Sequence, residues 1–243
     1  MIFIFKEKPI IIDCFSADQN VVDLFPIQKA SKFFPEWWKK LPKTYFEKNV
    51  ERSTMKSCYG FTEHYQHGFI IPLWLDLNIH VNHNSYEWKS MSSLKIDEHP
   101  QFQRGDYLND SKYGHLKIIS SWKIKCNEKI HFTYTQPVWN FNIPEELIIP
   151  PGTLEFKYQH TTNINAFVKF QNNPKNIFLR AGQPMVHITP LSERPIKIKN
   201  HLISQKEMDN MYPIFSFKNS YYKLKKLRKE KESRCPFGFD KKD

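Results

Sequence analysis

Ten histidines are the residues of this chain whose side chains most readily do chemistry. A neutral imidazole ligates iron, zinc or manganese, and near neutral pH it also moves protons. A non-haem iron site on a β-barrel needs a His-x-Asp or His-x-Glu pair on one strand and a second, distant histidine, and no such triplet occurs here. The nearest substitutes are Asp76, Asn78 and His80, in the stretch Ile71 to Asn82 reading IPLWLDLNIHVN. Same-face neighbours on a strand stand roughly 7 Å apart, so Asp76 and His80 are about 13 Å apart along one strand and do not share a metal. A cupin-like iron or other divalent-metal enzyme would instead draw on His80, His131 and His187, each in a different expected strand. His64 and His67, in GFTEHYQHG, approach each other only if that segment turns helically.

Other chemistries lack their signatures. There is no G-x-S-x-G elbow, no G-x-G-x-x-G and no Walker A loop. Cys14, Cys58, Cys126 and Cys235 form no C-x-x-C pair, which fits free thiols better than a zinc site or a disulfide scaffold. No catalytic residue is therefore assigned, and no cofactor is expected unless the three histidines converge. The reading leans towards a protein without enzymatic activity.

These side chains must be positioned by strands. From Ile71 to Val81 the odd positions are aliphatic, predicting one long strand with a buried odd face. Its even face, with Trp74, Asp76, Asn78 and His80, is the candidate binding surface, either the floor of a concave sheet or a contact for a subunit or partner. His115 to Cys126 and Lys129 to Thr135 read as two strands joined by a tight hairpin at Asn127-Glu128. Leu154 to Tyr158, Asn163 to Phe170, Ile177 to Arg180 and Met185 to Thr189 follow, with turns at Pro150-Pro151-Gly152 and Ala181-Gly182-Gln183-Pro184. Short strands between proline and glycine turns predict a mainly β chain, an antiparallel β-sandwich or jelly-roll-like domain. A short amphipathic helix is expected over Ala30 to Leu41 (ASKFFPEWWKKL), with an aromatic face from which one of Trp37 and Trp38 covers a sheet edge or a partner. The segment Lys43 to Ser57 reads as irregular.

Residues 1–200 form the expected sandwich domain, and 201–243 a basic, partly helical extension. The formal charge of +11 raises the prospect of an anionic partner. Much of it gathers at Lys223, Lys225, Lys226, Arg228 and Lys229, on a segment of helical propensity with Ser220 as N-cap. Nucleic acid bound through this tail is one expectation, and a solvated helix face is the plainer one. The start, MIFIFKEKPIIIDC, reads as strand and lacks the basic-then-apolar order of a secretory signal, and no apolar run is long enough to span a bilayer.

Four segments taken together carry a resemblance: FFPEWWKKLP, STMKSCYGFTEHYQHGFIIPLWLDLNI, HLKIISSWKIKCNEKIHFTYTQPVWNF, and IFLRAGQPMVHITPLSER followed by a basic tail. The set resembles an uncharacterised protein family of tailed phages, especially T4-like phages of marine bacteria, with distant bacterial relatives. It spans about Lys32 to Arg194. The resemblance implies a viral protein located in the host cytoplasm or the virion, and it brings no activity or catalytic residues. The expected function is non-enzymatic binding or a structural role, with a virion or host protein, or a second copy of the chain, as partner and no membrane.

Overall fold

The computed structural model describes residues 7–90, 96–99, 112–158, 161–211, 222, 225–227, 229 and 230. The fold is mainly β and sandwich-like, with several antiparallel sheets and few helices. β1 (Ile10–Ser16) lies between β10 (Lys123–Lys125) and β17 (Ile196–Leu202). A five-stranded sheet runs β13 (Gly152–Leu154), β11 (Phe132–Thr135), β16 (Pro184–Pro190), β5 (Phe69–Pro72), β2 (Gln28–Lys29). Two further sheets are β12 (Leu147–Ile148), β14 (Ile164–Lys169), β9 (Tyr113–Ile118), β8 (Ile96–Glu98), and β15 (Lys175–Leu179), β6 (Leu77–Val81), β7 (Tyr86–Ser90). Their apolar faces meet in one contiguous core, in which Trp74, Trp122, Phe69, Phe132 and Phe156 are among the largest buried side chains. All strand pairs are antiparallel except β1 with β17, where Ile10 faces Ile196.

Two long ribbons cross between sheets. The first pairs β5 and β6 with β16 and β15, so the expected single strand over Ile71 to Val81 is broken at Leu73–Asp76. Pro72 faces Pro184, and neither has an N–H to continue the ladder. The pairing then slips by a bulge at Met185 and the chain turns a corner. Through the corner Leu73 N–H donates to the Gln183 carbonyl at 2.9 Å, Gly182 N–H donates to the Leu73 carbonyl at 2.7 Å, and Ala181 N–H donates to Asp76 Oδ1 at 2.7 Å. Gly182 sits at φ +84°, a conformation glycine adopts without strain.

The second ribbon bends in the same way. His115 to Cys126 is not one strand, because β9 pairs with β14 whereas β10 pairs with β1. At its corner Ser120 N–H donates to Asn163 Oδ1 at 3.0 Å, Trp122 N–H donates to Ser120 Oγ at 3.0 Å, and the Ser120 and Thr162 hydroxyls lie 3.1 Å apart. Short polar side chains stand in for the missing ladder bonds. The expected hairpin at Asn127-Glu128 is absent too, since β11 pairs with β13 and β16 and not with β10. The run Leu154 to Tyr158 is strand only as far as Leu154.

The helices also depart from expectation. Ala30 to Leu41 splits into a 3-10 turn, Ala30–Phe33, and α2 (Glu36–Lys40), following α1 (Gln19–Leu24). Phe34 precedes Pro35, whose ring disfavours the helical conformation at Phe34, and Phe34 is extended at φ −49°, ψ 132°. The segment expected to be irregular holds a hairpin of β3 (Thr44–Glu47) and β4 (Val50–Ser53), turned by Lys48 and Asn49 at φ 47° and 65°. That geometry is the turn whose twist suits a two-residue hairpin. α3 (Tyr59–Gln66) and α4 (Gln205–Asn210) complete the regular elements, α4 with a capping box between Ser204 and Glu207. β17 runs to Leu202, across the expected domain boundary at residue 200, and the Lys123 ammonium ties α4 to the body through the Met208 and Met211 carbonyls.

Asp76→Ala should lower the unfolding free energy by about 1–2 kcal/mol, because the Ala181 N–H loses its acceptor. Asp76→Asn, which keeps an oxygen there, should lose less than half as much. Urea denaturation at pH 7 measures both, and equal losses would assign the effect to charge instead of the corner hydrogen bond.

Candidate functional site

The surface around α3 gathers aromatic and titratable side chains from distant parts of the chain. α3 ends at His67, and Gly68, at φ +80°, turns the chain into β5. A Cβ at Gly68 would stand 2.2 Å from the Ile188 carbonyl oxygen and 3.0 Å from His187 Nε2, so only glycine allows α3 to rest against β16. That contact brings together two imidazoles 123 residues apart in the chain: His187 Nδ1 lies 3.2 Å from His64 Nε2. His187 Nε2 lies 2.9 Å from the His67 carbonyl, which only accepts, so Nε2 carries the proton and Nδ1 accepts from His64.

His187 is fully buried. Desolvation pulls its pKa down to about 4, only partly opposed by the bond to the His67 carbonyl, and nearby His64 lowers it further. Burial lowers the half-buried His64 as well. The two rings are therefore a neutral, internally bonded pair at physiological pH. Tyr65 lies over His187, its hydroxyl donates to Asn140 Oδ1 at 2.6 Å, and Asn140 Nδ2 donates to the Phe33 carbonyl at 2.9 Å. Burial also pushes the Tyr65 phenol up. His67, the other histidine of α3, pairs with Glu63 at 2.9 Å, one helical turn back. Among the described residues no group of three or more His, Cys, Asp or Glu side chains is arranged to hold a metal. The histidine pair joins α3 to the sheet.

An aromatic shelf extends from this junction. Phe61 on α3 is its centre: Trp38 stacks on it at 5.7 Å, Trp37 and Trp139 meet it edge-on at 5.5 and 5.3 Å, and Phe34 stacks on Trp38 at 4.3 Å. Both indole N–H groups of the adjacent tryptophans are turned inwards. Trp37 Nε1 donates to the Trp139 carbonyl at 2.9 Å, and Trp38 Nε1 donates to the Met55 carbonyl at 3.3 Å. The Lys56 ammonium sits 4.0 Å over the Trp38 ring while bonding the Trp38 and Lys39 carbonyls at the end of α2. Trp37 and Trp38 thus serve one cluster, where the sequence suggested that only one would act as a cover. On the elements that carry the shelf, Tyr59 is 77% and Phe141 75% exposed, and Val138 is exposed as well.

The side chains singled out in the sequence lie elsewhere. Trp74 is buried in the core, Asp76 is engaged at the corner by Ala181, and the Asn78 side-chain oxygen is buried without a hydrogen-bond partner. The four expected face residues therefore do not form one exposed surface, because the strand that would have aligned them is bent. His80 pairs with Asn176 at 2.8 Å and His131 lies 3.8 Å from Glu155, so His80, His131 and His187 do not converge. Of the basic tail, Lys225 lies 3.5 Å from the buried Glu155 carboxylate and 5.3 Å over the Tyr158 ring, while Lys226 and Lys229 are exposed on helical backbone. Lys223, Arg228, Ser220 and Cys235 fall outside the described residues. Cys14, Cys58 and Cys126 are free thiols. The signal for the aromatic shelf was present in FFPEWWKKLP, whereas nothing in the sequence pairs His64 with His187.

No family model matches the chain, and neither does any curated protein.

The buried histidine gives the fold an acid sensitivity of definite sign. An unfolded chain protonates residue 187 near 6.5, whereas the folded chain holds the ring neutral down to about 4. Between those values the unfolded state binds more protons, so stability falls as pH falls, by on the order of 3 kcal/mol in all. His64 contributes in the same direction. Urea unfolding between pH 7 and pH 4.5 should show a steeper loss for the wild type than for His187→Gln, and parallel profiles would remove the pair as the cause.

Proposed function

We propose that this is a non-enzymatic binding protein of a tailed phage, acting in the virion or on a component of the host cytoplasm, and that the aromatic shelf is its recognition surface. The observation that carries this reading is the orientation of Trp37, Trp38 and Trp139. The indole donors of Trp37 and Trp38 are spent on backbone carbonyls, so these half-buried rings present no unsatisfied polar edge. Trp139, and the exposed Tyr59 on α3 and Val138 and Phe141 flanking Trp139, add apolar area. Exposed aromatic surface of this kind is typical of protein contacts, in which tryptophan and tyrosine carry much of the binding energy. The partner implied is a protein, either a host or virion component or a second copy. Among the described residues no helix is long and apolar enough to cross a membrane.

The phage assignment rests on the resemblance of the four sequence segments. A Trp139→Ala, Tyr59→Glu variant should keep the wild-type melting temperature within a few degrees. It should also lose at least about tenfold in affinity, whether the partner is a second copy, read by sedimentation, or a bacterial protein retained from host extract. Equal behaviour of variant and wild type in both measurements overturns the shelf as the recognition surface.

A second reading is favoured by the tail. Lys225 anchors its helical segment to Glu155 and Tyr158, which leaves Lys226 and Lys229 exposed together. If these bind nucleic acid, affinity for a DNA duplex should fall steeply between 50 and 200 mM salt, with a log–log slope reduced by roughly 2 in Lys226→Ala, Lys229→Ala. Binding insensitive to salt, or none, rules it out.

A further inference from the structure

A second surface, on the segment that leads into the shelf, carries features of a different kind of site. A cleft of about 830 Å³ opens between two sheet edges, lined on one side by Ile27, Gln28, Lys29 and Lys32 and on the other by Pro195 to Ile198 and Asn200, with Glu7 to Pro9 at its end. Among the described residues β2 and β17 are each the last strand of their sheets. Ile10 N–H donates to the Pro195 carbonyl and Ile203 N–H donates to the Ser16 carbonyl, which fixes the phase of the β1–β17 ladder. Odd-numbered residues of β17 turn their backbone groups to β1, so Ile196, Ile198 and Asn200 turn theirs outwards, into the cleft. Across it, the pairing of Gln28 with Ile70 and the bond from Ala30 N–H to the Gly68 carbonyl turn the backbone of Ile27 and Lys29 outwards in the same way.

The two edges meet at one point. Asn200 Nδ2 donates to the Ile27 carbonyl at 3.0 Å, and beyond that clasp they diverge. The Asn200 side-chain oxygen is buried there without a hydrogen-bond partner. The apolar floor comes from Ile27, Ile196 and Ile198, and the charged lining is Lys8, Lys29, Lys32 and Lys197 against the single carboxylate of Glu7.

We propose that this cleft takes up an extended acidic segment of a partner protein, which adds to β17 as a new strand. Backbone donors and acceptors of Ile196 and Ile198, on the open side of the Asn200 clasp, supply the pairing. Alternate side chains of the incoming segment then pack on Ile27 and Ile198 or stand beside Lys197 and Lys199, so the site selects apolar and acidic residues in alternation. The lysines also oppose edge-to-edge pairing of two copies, since like charges would face each other. This site is independent of the aromatic shelf.

The test uses the full chain and a fluorescein-labelled peptide of three Val-Glu repeats. The controls are a Val-Lys repeat and the acidic peptide N-methylated at alternate residues. The acidic peptide should bind, the Val-Lys peptide should not, and N-methylation or the Lys29→Glu, Lys197→Glu variant should weaken binding at least about tenfold. Bound peptide should slow amide exchange at Ile196 and Ile198 while leaving Lys197 and Lys199, already bonded to β1, unchanged. No binding of the acidic peptide, equal binding of its methylated form, or binding without slowed exchange at those two amides overturns the proposal. Unchanged melting of the charge-reversed variant separates lost binding from lost fold.

Discussion

A strand that leaves one sheet for another must give up ladder hydrogen bonds where it bends, and in a buried corner each abandoned N–H or C=O costs free energy comparable to a broken hydrogen bond. This fold depends on how that cost is met. At one corner the substitute is the Asp76 carboxylate; at the other it is the Ser120 hydroxyl and the Asn163 amide oxygen. With both corners closed, Trp74 and Trp122 turn into the core just where the ribbons bend, filling the space that diverging sheets would otherwise leave. The sheets are held around one core because the same ribbons belong to more than one of them.

The corners also explain which parts of the fold were legible in the sequence. The strands expected over Asn163 to Phe170, Ile177 to Arg180 and Met185 to Thr189 overlap Ile164–Lys169, Lys175–Leu179 and Pro184–Pro190, the first two buried on one face and the last on both. It failed at Leu73–Asp76 because side-chain period is insensitive to which sheet a strand belongs to. An aliphatic residue at every second position satisfies two cores in succession as well as one. Pro72 and Pro184 were visible signs of the break, but their significance lies in facing each other, a fact of pairing and not of either segment alone. Pro35 acts locally, yet the apolar spacing over Ala30 to Leu41 ran the expected helix through it, and the structure breaks there.

Site residues followed the same division. The aromatic shelf grows from neighbours in sequence, Phe34, Trp37 and Trp38, and its existence was announced by their crowding. The pairing of His64 with His187 joins a helix to a strand in another part of the chain through the one residue, Gly68, that lets them approach. Histidine count had pointed towards metal, whereas burial and a fixed tautomer make this pair a structural joint. The bent β6 likewise dispersed the polar residues that a straight strand would have aligned.

The parallel pairing of β1 with β17 bears on how the chain is made. Ile10 finds Ile196 only after roughly 190 further residues have left the ribosome, on the order of 10–40 s later at usual elongation rates. During that interval β1 has β10 as its available neighbour and otherwise exposes an aliphatic edge. Final closure of this sheet is therefore a late event that waits on a contact of long sequence separation, and until then β1 lacks one of its two strand neighbours.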